Sequence, residues 1–113
     1  MNKRLILIFC VLAIAMSCKK DKTPVIACTD NVSFSADIQP LVNISCSTSG
    51  CHDSGTAAGG YELTSHASIS ANANKILSVI NHEGGFTPMP FGQDKLADTT
   101  IAKFACWTAN GSL

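Results

Sequence analysis

The chain has 113 residues, of which 46% are hydrophobic and only 14% charged, with eight basic side chains balanced by eight acidic ones. That length holds one domain. With no basic excess there is no electrostatic footprint for phosphate, so a nucleic-acid partner is excluded.

Much of the apolar excess sits at the front. Met1–Ser17 reads MNKRLILIFCVLAIAMS, with Lys3 and Arg4 as a basic flank and Leu5 to Met16 as the apolar run. The run is shorter than the ~20 residues of an easy membrane span. Its pattern is that of an export signal. Ala15-Met16-Ser17-Cys18 ends it and resembles the lipobox of bacterial lipoproteins. The resemblance implies that residues 1–17 are removed and that Cys18 becomes a lipidated N-terminus. Residues 18–31 then serve as tether and lead-in, and residues 32–113 as the domain. The expected location is the cell envelope, lipid-anchored, at the outer membrane. From Cys28 onward three lysines stand against seven acidic residues, a net charge of −4. A protein partner steered by charge therefore presents a positive face.

An exported domain of this size is short of core, and covalent staples help it. Six cysteines are present. Cys10 leaves with the signal and Cys18 takes lipid, so Cys28, Cys46, Cys51 and Cys106 remain. As disulfides they allow three pairings. If Cys46 and Cys51 are used otherwise, Cys28 with Cys106 is the pair left, and an exported compartment permits the bond.

The elements then follow in order. Asp37 is expected to cap a first helix over DIQPLVNIS, with Pro40 at its third position, where the N–H has no helical partner. Ile38, Leu41 and Val42 share its inner face. Asp53–Gly60 (DSGTAAGG) has no apolar period and reads as a loop. Ser65 caps a helix starting at His66, Asn72 and Asn74 interrupt it, and a second piece begins near Lys75. Ile69, Ile76, Leu77 and Ile80 form its core-facing set. Asn81–Gln93 (NHEGGFTPMPFGQ) is a shaped loop in which Pro88 and Pro90 flank Met89 and disfavour helix through it. A last helix carries Ile101, Phe104, Ala105, Trp107 and Thr108 on one stripe, begins at Ala97 or Asp98 and stops at Gly111. No strand of convincing length is predicted, and the fold class is all-α.

Residues 46–52 read CSTSGCH. A simple disulfide hairpin needs no histidine. A zinc site needs about four ligands, which His66 and His82 would have to complete. Covalent haem attachment needs two thiols for the porphyrin vinyl groups and a histidine directly after the second, usually as C-x-x-C-H. Here Ser47-Thr48-Ser49-Gly50 makes the spacing C-x4-C-H, which demands a looped-out segment of small polar residues. Haem iron in electron-carrying cytochromes c takes His and Met. Met89 is the one methionine after the signal, and it lies in a Pro-X-Pro loop off any apolar stripe.

Taken together, these features resemble the class I c-type cytochromes, in the small exported lipoprotein forms common in Bacteroidota. Asp37-Ile38-Gln39-Pro40-Leu41 is similar to the D-I-x-P-[IL] segment before the haem cysteines. Leu96, Ile101, Phe104, Trp107 and Gly111 are similar to the terminal helix pattern. The resemblance covers roughly 32–113. It departs from the family in the C-x4-C spacing and in Ala97, where a capping Ser is usual. It implies three to five short helices around one covalent haem c, held by Cys46 and Cys51 and ligated by His52 and Met89. His82 is the rival sixth ligand, and His66 a surface or capping group. Ile38, Leu41, Ile76, Leu77, Ile80, Phe91, Phe104 and Trp107 are the expected haem wall, with Tyr61 or Trp107 as propionate donors. The expected function is one-electron transfer between redox protein partners by a monomeric domain, with no catalytic residue. The alternatives are a haem-free structural or zinc-binding lipoprotein, and a haem sensor or peroxidase-like subunit.

Overall fold

The structure is a computed structural model that describes Cys28 and residues 31–113. The export signal, Cys18 and the tether expected from the sequence lie outside the described residues. Among the described residues the protein is helical, with no strand, and no helix is long and apolar enough to cross a membrane.

The first element starts earlier than Asp37. Ser33, in extended backbone, accepts from the Ala36 N–H and opens a π-helical turn, Phe34–Ile38. The turn runs directly into α1, Gln39–Ser45, with Pro40 in its first turn. Asp37 is therefore no N-cap. Its carboxylate lies inside the turn and accepts from the Ser33 N–H at 2.9 Å. The predicted inner face holds: Ile38 and Val42 are buried, and Leu41 is packed on the core.

Residues 46–65 are turns and loop, with one short 3₁₀ turn at Ala58–Gly60. Ser65 then caps α2, His66–Ala71, and forms a reciprocal capping box with Ser68. That pairing satisfies two backbone donors at the helix start. The break falls at Asn72, as predicted, but Asn74 makes none: α3 begins at once, as Ala73–Ile80 rather than near Lys75. Ile69, Ile76 and Ile80 are buried, and Leu77 packs against them. The last helix, α4, spans Asp98–Ala109, with Ala97 at its N-cap and no side-chain cap bond. Gly111 takes φ +91°, a left-handed conformation that glycine adopts freely.

Ile101, Phe104 and Trp107 on α4 complete one core with Ile38, Val42, Leu63, Ile69, Ala73, Ile76 and Ile80. Helix α4 packs on α3 and on the Phe34–Ile38 turn. Full burial of each such aliphatic or aromatic side chain contributes about 1.5–3 kcal/mol. The Trp107 indole N–H donates to the Leu113 carbonyl oxygen at 2.9 Å, and the His66 imidazole bonds through Nε2 to the Ser112 carbonyl oxygen at 2.9 Å. The His66 ring lies 4.4 Å from that of Phe34 and 6.0 Å from that of Trp107. Two covalent or ionic ties reinforce α4. Cys106 is disulfide-bonded to Cys28, and Lys103 pairs with Asp37 at 2.9 Å.

Candidate functional site

The C-x4-C-H segment begins where α1 ends. Cys46 is the C-cap of α1, and its N–H donates to the Val42 carbonyl. The chain then leaves the helix in a tight turn. The Cys51 N–H donates to Thr48 at 2.9 Å, and Gly50 stands third in that turn with φ +83°. A type II turn needs a left-handed residue at that position. The His52 N–H then donates back to the Cys46 carbonyl at 3.0 Å, so the two ends of the seven-residue segment meet.

His52 is held from three directions. Besides the bond to Cys46, its carbonyl accepts from the Leu63 N–H at 2.9 Å. Its Nδ1 lies 2.8 Å from the Tyr61 carbonyl oxygen. A carbonyl only accepts, so Nδ1 carries the proton and donates. The proton-free lone pair is then on Nε2. This is the arrangement by which metal-binding histidines are oriented and made more basic.

Met89 comes from the far side of the chain. Its N–H donates to the Val79 carbonyl near the end of α3 at 3.0 Å. Its own carbonyl accepts from His82 Nε2 at 3.1 Å. The Pro88-Met89-Pro90 segment is thus tied down at both polar groups of the methionine.

These pieces meet in one cleft. Its larger lobe, of about 960 Å³, is lined by Cys46, Cys51, His52 and Met89 among apolar walls. A smaller lobe of about 410 Å³ shares His52 and Met89 and ends in Tyr61, Asn72 and Lys75. Ligand pockets run to about 300–1,000 Å³. All four sequence-predicted site residues therefore line the same space. The Lys75 ammonium donates to the Tyr61 hydroxyl at 2.5 Å across the rim of the small lobe.

Not every expectation holds. Of the predicted wall, Ile76, Ile80 and Phe91 line the cleft, whereas Ile38, Leu41, Leu77, Phe104 and Trp107 do not. The places of the absent five are taken by Ile44, Leu63, Val79 and Leu96. Trp107 is no propionate donor, because its N–H is spent on Leu113. Tyr61 does line the cleft. His82 is not among the lining residues, and its ring serves the Met89 carbonyl.

The Cys46 and Cys51 thiols are unbonded. Burial, and secondarily the nearby Cys51, pushes the Cys46 thiol up to about 11. Thiolate chemistry is correspondingly disfavoured there. Among the described residues, no three of His, Cys, Asp and Glu gather to hold a metal ion. His66 and His82 each bond a backbone carbonyl, and neither lines the cleft with Cys46 and Cys51. A haem asks less of the side chains, because its ring fills four iron positions and the protein supplies only the axial pair.

Sequence reasoning missed the Tyr61 carbonyl, Val79 and Lys75. The first two act through backbone groups, which leave no trace in residue type. Lys75 is a lone cation on α3 and carried no signal. No protein-family model, curated protein or solved structure matches the chain.

Proposed function

We propose that this chain is a monohaem c-type cytochrome that carries single electrons between redox proteins, with a cytochrome c-like fold. One observation carries the reading. Two thiols, a histidine with its Nδ1 proton fixed on a backbone carbonyl, and a doubly anchored methionine line one apolar cleft from two distant parts of the chain. Cys46 and Cys51 would hold haem c through thioethers, and His52 Nε2 and the Met89 thioether would be its axial ligands. Bound there, haem supplies a one-electron iron couple.

The chain's own residues do the rest. The Tyr61 carbonyl orients His52. Ile76, Val79, Ile80 and Leu63 exclude water and disfavour net charge, which with a thioether ligand raises the potential. The thiols line only the larger lobe, and Lys75, Tyr61 and Asn72 only the smaller. Cys46 and Cys51 would take the vinyl groups in the first lobe, and Lys75, Tyr61 and Asn72 would be the polar partners for the carboxylates in the second. With both axial positions filled there is no place for a substrate, so the protein is not an enzyme on this reading. The anchored Met89 is also what disfavours a sensor or peroxidase-like role, which needs an open position. Partners are redox proteins with a positive docking face, and the monomeric domain is tethered through lipid on Cys18 at the outer membrane.

The test is the reduced pyridine–haem spectrum of the denatured, exported chain, made with c-type maturation machinery and freed of loose haem. One c-type haem per chain is expected, and none in Cys46→Ala/Cys51→Ala. Absence from the wild type, with a control cytochrome matured alongside, defeats the proposal. Met89→Ala is expected to keep the covalent haem, lose the weak far-red band of a thioether–ferric bond, and fall in potential.

A further inference from the structure

His82 stands at an odd place for a histidine. Helix α3 ends at Ile80, Asn81 is its C-cap, and His82 follows with φ +56°. Helices commonly end on a left-handed residue there, and that residue is usually glycine, which has no Cβ to strain. Two glycines, Gly84 and Gly85, lie just beyond. A histidine at this position accepts a backbone cost that glycine would avoid. Its ring offsets that cost by reaching across the loop to the Met89 carbonyl, at 3.1 Å from Nε2. The Met89 N–H is already fixed on Val79 at 3.0 Å. The imidazole thus closes the second of two bonds that set the methionine peptide against the end of α3. The left-handed turn directs the ring to this bond, and His82 is not among the residues lining the cleft.

We propose that His82 is a positioning residue for the methionine ligand. It clamps the Met89 main chain so that the thioether, and not an outside ligand or its own imidazole, occupies the sixth iron position. The inference rests on the electron-carrier reading above. It adds that a residue making no bond to the haem decides how firmly Met89 stays in place.

His82→Gly separates the backbone from the ring. Glycine suits the left-handed turn, so the helix end is kept and only the clamp is lost. His82→Gln restores a donor at the same number of bonds from Cα as Nε2. Three readouts on the exported, haem-loaded full chain decide the matter: the thioether–ferric band, the midpoint potential, and the affinity for added imidazole, which competes with Met89. One hydrogen bond is worth about a three- to tenfold change in such a competition. His82→Gly is expected to bind imidazole about three- to tenfold more tightly, to weaken the band and lower the potential, and to exchange the Met89 amide hydrogen faster. His82→Gln is expected to recover most of each. A merely structural role at the helix end predicts the opposite for His82→Gly, with every ligand readout unmoved. A wild-type chain without covalent haem overturns the electron-carrier reading and this inference with it. A wild-type chain with the thioether band, beside a His82→Gly chain that keeps that band and the same imidazole affinity, overturns this inference alone.

Discussion

Removing the Cys28–Cys106 disulfide should cost the domain a large part of its stability. The bond joins residues 78 apart in sequence. Closing a loop of that length in the unfolded chain removes entropy equivalent to about 4.5 kcal/mol at 25 °C, and measured disulfides usually contribute about 2–4 kcal/mol. A domain of this size has only about 4–13 kcal/mol in total. The right variant is Cys28→Ala/Cys106→Ala. Cys106 is 4% exposed beside Trp107, and a serine hydroxyl there would need a partner that an alanine does not. Urea unfolding followed by tryptophan fluorescence measures the effect through the single Trp107. With a slope of roughly 1 kcal/mol per molar urea, the midpoint should fall by about 2 M or more. Reductant should bring the wild type down to the variant and leave the variant unchanged. A double variant within about 0.5 kcal/mol of the wild type, or a wild type indifferent to reductant, would refute the reasoning.

Two further outcomes follow from the helix ends. The Ser33 N–H, and then the Lys103 ammonium, hold the Asp37 carboxyl below its ordinary value of 3.8. A carboxylate lowered on folding adds stability above that value, and the addition is lost as pH falls through the lowered one. Asp37→Asn should therefore melt below the wild type at neutral pH, and the two should converge as acid protonates the carboxylate; a gap that stays constant with pH would contradict this. Ala97→Ser supplies the missing cap of α4 and should raise stability by about 1 kcal/mol, read as a urea midpoint shift with haem spectra unchanged. No gain would mean that another group already serves the free backbone N–H groups at that end.

Where the chain is locally governed, its sequence was readable. Ser65 before His66, the interruption at Asn72 and the non-helical Pro88-Met89-Pro90 segment are set by side chains within a few residues, and each stands as expected. The buried stripe of Ile69, Ile76 and Ile80 followed from period alone. The Phe34–Ile38 turn was missed because Ser33 and Asp37 are both good caps, and only the fold decides which one opens the helix. The wall of the cleft was misassigned for a different reason. Periodicity separates buried from exposed, but this small domain has a second apolar surface, the cleft, whose side chains are partly exposed. Ile38, Phe104 and Trp107 face the core, while Ile44 and Phe91 are 77% and 76% exposed and line the cleft. Isolated exposed apolar residues would normally be passed over. The bonds of His52 to Tyr61 and of Met89 to Val79 are made by backbone groups brought in through tertiary structure, which residue type does not encode.

The turn between the two motif cysteines has a consequence for how such sites vary. The His52 N–H reaches the Cys46 carbonyl directly, and Ser47–Gly50 are looped outside that junction. The junction is made by Cys46 and His52 alone, and Ser47 is itself tied by its N–H to the Val42 carbonyl, so Thr48–Gly50 are the residues whose number the junction does not fix. Lengthening or shortening the excursion by a residue or two should leave both sulfurs and the histidine where they are, so long as a left-handed residue such as Gly50 still lets the chain double back. Distance counted along the chain is then a poor guide to kinship among sites of this kind. Two chains with different spacings can bring the same two thiols and histidine together.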